Sequence, residues 1–98
     1  MGQLFFDQYS LLHFSVGVVS YFWGFSLLIG LVLHTLFEII GNTPQGVRFI
    51  NENLAGIWPG GKPYADSFGN ILGDTFFFVV GMIAAAQLDA FGKLRAWY

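Results

Sequence analysis

Residues 8–37 read QYSLLHFSVGVVSYFWGFSLLIGLVLHTLF, thirty consecutive positions without lysine, arginine, aspartate or glutamate. At 1.5 Å per residue the apolar stretch from Tyr9 to Ile40 would make a straight helix of about 48 Å, against about 30 Å of bilayer hydrocarbon. One span therefore leaves too much helix. Phe22-Trp23-Gly24-Phe25-Ser26 supplies a break: an interfacial tryptophan, a glycine suited to a helix C-cap and a serine suited to the next N-cap. The stretch predicts a tight hairpin of helices over about 9–23 and 26–41. The alternative is one long, tilted or kinked helix.

A second apolar run, Ser67 to Leu88, contains Asp74 as its only charged residue. Across the 98 residues, 55% are hydrophobic and 10% charged, too little charge to clothe a soluble domain of this size. Between the runs, Thr43-Pro44 is an N-cap followed by proline at the first helical position, and Val47, Ile50 and Leu54 then share one face. That pattern predicts a short amphipathic helix over about 44–54 at the membrane interface, with Trp58 as an anchor and Pro59-Gly60-Gly61 as a turn. Asp66 or Ser67 caps a last helix over about 67–88, and Lys93, Arg95, Trp97 and Tyr98 form an interfacial tail. The expected fold is all-α and integral to the membrane: residues 1–98 form one domain, a compact bundle of three short transmembrane helices plus one interfacial helix.

Several classes are excluded or left open. The net charge of −2 and the scatter of Arg48, Lys62, Lys93 and Arg95 leave no basic stripe for nucleic acid. There is no cysteine, so neither a disulfide framework nor a thiolate metal site is available. A removable signal peptide is not expected, because a basic n-region and a small-residue cleavage site are lacking. Phe6 stands where a myristoylation motif wants serine or threonine. Basic residues divide equally between the two sides of a three-span arrangement, so they set no orientation.

Two polar rows interrupt the apolar runs at i, i+4, i+8: His34, Glu38 and Asn42, then Asp66, Asn70 and Asp74. That spacing stacks each row on one helix face. Polar side chains are costly in lipid, point into bundle interiors and carry a functional-site expectation. His13 is a secondary candidate. All four basic residues lie outside the spans, so the predicted interior is acidic and must hold protons, a metal ion or a cationic partner. Gly69 and Gly73 form a GxxxG, with Gly81 two turns beyond, and His13 shares a face with Gly17, so the polar faces double as packing faces. The structural alternative is that these polar groups only tie helices together, with Asp66 merely an N-cap and Asn42 merely a helix end.

The string His34-Thr35-Leu36-Phe37-Glu38-Ile39-Ile40-Gly41-Asn42-Thr43-Pro44, followed by Tyr64-Ala65-Asp66-Ser67-Phe68-Gly69-Asn70-Ile71-Leu72-Gly73-Asp74, resembles a family of small bacterial and viral membrane proteins allied to the VanZ-like group. The start Tyr9-Ser10-Leu11-Leu12-His13 resembles that family's first helix. The sequence departs in having Gly41 where the family pattern carries a second acid. The resemblance implies an architecture and a candidate site, without a reaction.

Three functions follow in order. The first is an intramembrane His/Glu/Asn/Asp site for a proton or cation, with Glu38 and Asp74 facing each other as ligands of a divalent metal ion and a lipid head group as its object. The second is an accessory subunit in a homo-oligomer or larger membrane assembly, viral or pigment-bearing, since twelve Phe, three Trp and four Tyr offer wide apolar surfaces. The third is a pigment or haem carrier through His13 or His34. The bilayer is the common partner; the sequence fits a bacterial inner membrane, a viral membrane or an organellar one equally.

Overall fold

The computed structural model describes residues 3–54, 56–57 and 65–97. The chain forms four α-helices, α1 (Ser10–Phe22), α2 (Leu27–Gly41), α3 (Pro44–Asn53) and α4 (Phe68–Leu94), with no strand among the described residues. The expected anchor Trp58 and the turn at Pro59-Gly60-Gly61 lie outside the described residues.

The chain breaks where the sequence supplies turn chemistry. Gly24 adopts φ +91, a left-handed conformation that costs a side-chain-bearing residue about 1 kcal/mol or more. Ser26 then caps α2 by accepting a hydrogen bond from the Ile29 N–H at 3.2 Å. Asn42 ends α2, Thr43 caps α3 through the Gly46 N–H, and Pro44 occupies the first turn. Between α2 and α3 the axis turns by 92°. Gly46 sits directly on the Ile40 carbonyl, and buried Ile50 packs under Gly41. α3 therefore lies across the end of α2 as a cap.

α1 and α4 run parallel with their backbones in contact. Gly17 of α1 rests on the Phe78 carbonyl of α4, and Gly81 of α4 rests on the Phe14 carbonyl of α1. Gly73 meets the Phe5 carbonyl, so the segment before α1 also lies against α4, with the Phe5 and Phe6 rings on Phe76 and Phe77. α2 runs the opposite way along α4, with Gly30 against Met82 and His34 against Phe78. The GxxxG expectation is corrected at one position: nothing among the described residues approaches Gly69, and the working small residues are Gly17, Gly73 and Gly81. Gly69 lies one turn before Gly73, on a part of α4 where a Cβ would meet open space among the described residues.

α4 extends to Leu94, beyond the expected end near Leu88. Its last turns are held by polar contacts invisible to an apolar-run criterion. Asp89 Oδ2 accepts from the Tyr21 hydroxyl at 2.6 Å and lies 3.2 Å from Lys93 Nζ. With 27 residues α4 is long and apolar enough to cross a bilayer, whereas α1, with 13, is not; α2 and α3 satisfy the same test only together, across their sharp bend. Side chains around the bundle are apolar and exposed, among them Leu28 at 71% and Ile39 at 61%. Such a surface suits a hydrocarbon solvent or a covering partner.

Candidate functional site

The polar residues collect at the end of the bundle that α3 covers. α2 brings His34 and Glu38 inward on consecutive turns, α4 brings Asp74, and α1 brings His13. Glu38 and Asp74 are 4% and 3% exposed, and His34 is 7% exposed. Burial of this kind occurs when such groups have specific partners, because unpaired charge is costly in a medium of low dielectric.

His13 Nε2 lies 3.1 Å from Asp74 Oδ2, linking α1 to α4. His34 Nε2 lies 3.6 Å from Glu38 Oε1, beyond hydrogen-bond length, and has no hydrogen-bond partner among the described residues. The other Asp74 oxygen, Oδ1, is buried and equally without a hydrogen-bond partner among the described residues. The His34 ring stacks on Phe78 with centroids 4.6 Å apart, while the His13 ring meets it edge-on at 5.5 Å. Donor atoms of His13, His34 and Glu38 fall within 4.8 Å of one another, and so do those of Glu38, Asp66 and Asp74. The two groups share Glu38. Together they form a continuous nitrogen and oxygen donor set contributed by three helices and the segment entering α4.

The neighbours are positioned by local structure. Asn42, the α2 C-cap, donates to the Glu38 carboxylate at 3.2 Å and to its carbonyl at 2.7 Å; its own carbonyl accepts from the Asp66 N–H at 2.8 Å. It thus fastens Asp66 beside Glu38. Asp66 is not the cap of α4, since the Ser67 hydroxyl accepts from the Asn70 N–H. Asn70, expected beside the carboxylates, turns instead to the N-terminal segment, donating to the Leu4 carbonyl at 2.6 Å and to Asp7 Oδ2 at 3.3 Å. It is a positioning residue.

Sequence reasoning ranked His13 below the two rows, but it lies at the centre of the cluster. It also missed Asp7, whose signal was an Asp-x-x-Ser turn at the start of α1: Asp7 Oδ1 accepts from the Tyr9 N–H, and the Asp7 N–H donates to fully buried Ser10.

Two cavities adjoin the cluster. The smaller, about 30 Å³, is bordered by His13, Glu38, Asn42 and Asp66, with Gly41 and Ile50 behind. It has room for one ion or water. The larger, about 520 Å³, is an open groove between α1 and α2 floored by α4. Comparison of the chain with protein-family models, curated proteins and solved structures gives no match.

Proposed function

We propose that this is a small integral membrane protein that binds a divalent cation among His13, His34, Glu38, Asp66 and Asp74. The observation that carries the reading is the convergence of five donor side chains from four segments, two triplets of donor atoms each lying within 4.8 Å. Buried His34 Nε2 and Asp74 Oδ1 have no hydrogen-bond partner among the described residues, and an ion-sized cavity opens among the other donors His13, Glu38 and Asp66. Mixed imidazole and carboxylate donors suit Zn²⁺, Mn²⁺ or Fe²⁺ more than an all-oxygen ion such as Ca²⁺. A macrocycle is disfavoured, because one His34 face is covered by Phe78 and both imidazole Nε2 atoms point at carboxylates.

In this reading α1, α2 and α4 are all immersed in the bilayer, which supports the apolar exterior and thins or dips around the shorter α1 and α2. α3 lies at the interface over the ion. The ion serves as a structural tie and as a Lewis acid facing the groove.

Metal quantification on the purified chain after dialysis against trace Zn²⁺, Mn²⁺ or Fe²⁺ tests this. The expected result is about one ion per chain, lost in Glu38→Gln and in Asp74→Asn. A wild type that retains none of these ions, and whose thermal stability ignores chelator, contradicts it.

A further inference from the structure

The groove between α1 and α2 changes character along its length. At the end beside the cluster its walls carry Asp7, Asp66 and Asp74, with no lysine or arginine among the described lining residues. Towards the α1–α2 turn the walls become Val16, Gly30 and Leu33. From His13 to Ser20 the groove follows α1 over seven residue steps, roughly 10 Å at the α-helical rise. A cavity of about 520 Å³ falls in the range of small-ligand sites.

We infer that this groove binds a single-chain amphiphile with a primary ammonium head group, its chain against Val16, Gly30 and Leu33 and its head at Asp7 and Asp74. The inference rests on the cluster being a cation site, and assigns the outer half of that site to an organic cation.

Charge decides the head group. The four carboxylates in and beside the groove's polar end, Asp7, Glu38, Asp66 and Asp74, outnumber the two charges of a divalent ion held among them, so a phosphate or carboxylate would meet net negative charge, whereas an ammonium supplies three donors where acceptors stand in excess. Asp74 lines this groove, and its Oδ1 is a desolvated acceptor without a hydrogen-bond partner among the described residues. The apolar half excludes a free small cation as the intended occupant of the whole groove, since only a hydrocarbon chain gains from walls of valine and leucine. Gly30 lets α2 lie close on α4 along the groove, as a Cβ there would meet Met82 Sδ at 2.8 Å.

The test uses the full chain in neutral maltoside micelles, titrated with dodecylamine, dodecanol and dodecyl phosphate, with binding read by native mass spectrometry and metal content measured on the same samples. One dodecylamine should bind per chain, at least about tenfold more tightly than dodecanol, the advantage of hydrogen bonds to a charged group. Asp7→Asn should reduce that preference, and Val16→Trp should abolish amine binding by filling the groove, both with metal content unchanged. Dodecanol binding equally well, dodecyl phosphate binding more tightly, or Val16→Trp having no effect overturns the inference. If metal is bound and dodecylamine is not, this inference alone fails; if the wild type binds dodecylamine but no metal, the metal reading alone fails.

Discussion

His13 Nε2 on α1 lies 3.1 Å from Asp74 Oδ2 on α4, one turn before the reciprocal glycine contacts that press the same two helices together. Polar contact and backbone packing therefore reinforce each other along one seam. Removing either partner leaves the other buried without its counterpart. In chelator-stripped protein, a double-mutant cycle of His13→Ala and Asp74→Asn should give a coupling of about 1–3 kcal/mol, measured by denaturant unfolding in micelles. Additive losses would mean the contact is incidental.

Glycine packing gives a sharper contrast. A Cβ at Gly17 or Gly81 collides with a backbone carbonyl of the facing helix, whereas one at Gly69 meets open space among the described residues. Gly17→Ala and Gly81→Ala should each cost about 1–3 kcal/mol through forced separation of α1 and α4. Gly69→Ala should be neutral or stabilising by up to about 1 kcal/mol, because alanine is the better helix former. Thermal unfolding of the three variants checks the order.

Asn42 holds Glu38 and Asp66 without belonging to the donor set. Asn42→Ala should therefore weaken metal affinity about 10–100-fold while leaving the helix content unchanged, as expected of a group that orients ligands. Competition with a chromophoric chelator, alongside circular dichroism, separates this effect from unfolding.

If α1, α2 and α4 all lie in the bilayer, the parallel course of α1 and α4 puts the two ends of the chain on opposite faces. Single cysteines at Gln3 and Trp97 in sealed vesicles should react with an impermeant maleimide from different sides. Labelling of both from one side would contradict the three-helix arrangement.

How far the sequence revealed this arrangement depended on the kind of interaction. The His34–Glu38 pairing was legible because helical geometry alone places one turn between them, and the hairpin was legible because Gly24 and Ser26 have strong local preferences, whereas Asp66 of the second row lies before α4 and reaches Glu38 through Asn42. The role of His13 was hidden, since its partner is 61 positions away and nothing local to α1 distinguishes it. Asn70 had the right spacing to join the carboxylates, but the N-terminal segment offered its amide a backbone carbonyl and Asp7. The true end of α4 was obscured because Tyr21, Asp89 and Lys93 sustain it, a polar arrangement that hydropathy counts as termination.

The central claim is that imidazole nitrogen and carboxylate oxygen bind one ion together, and pulsed electron paramagnetic resonance of the Mn²⁺-loaded protein tests it most directly. The account predicts nitrogen modulation from directly coordinated imidazole, weakened in His13→Ala or His34→Ala and absent in the double variant. Bound Mn²⁺ with an oxygen-only spectrum in the wild type, or no bound Mn²⁺ under any loading condition, would contradict it.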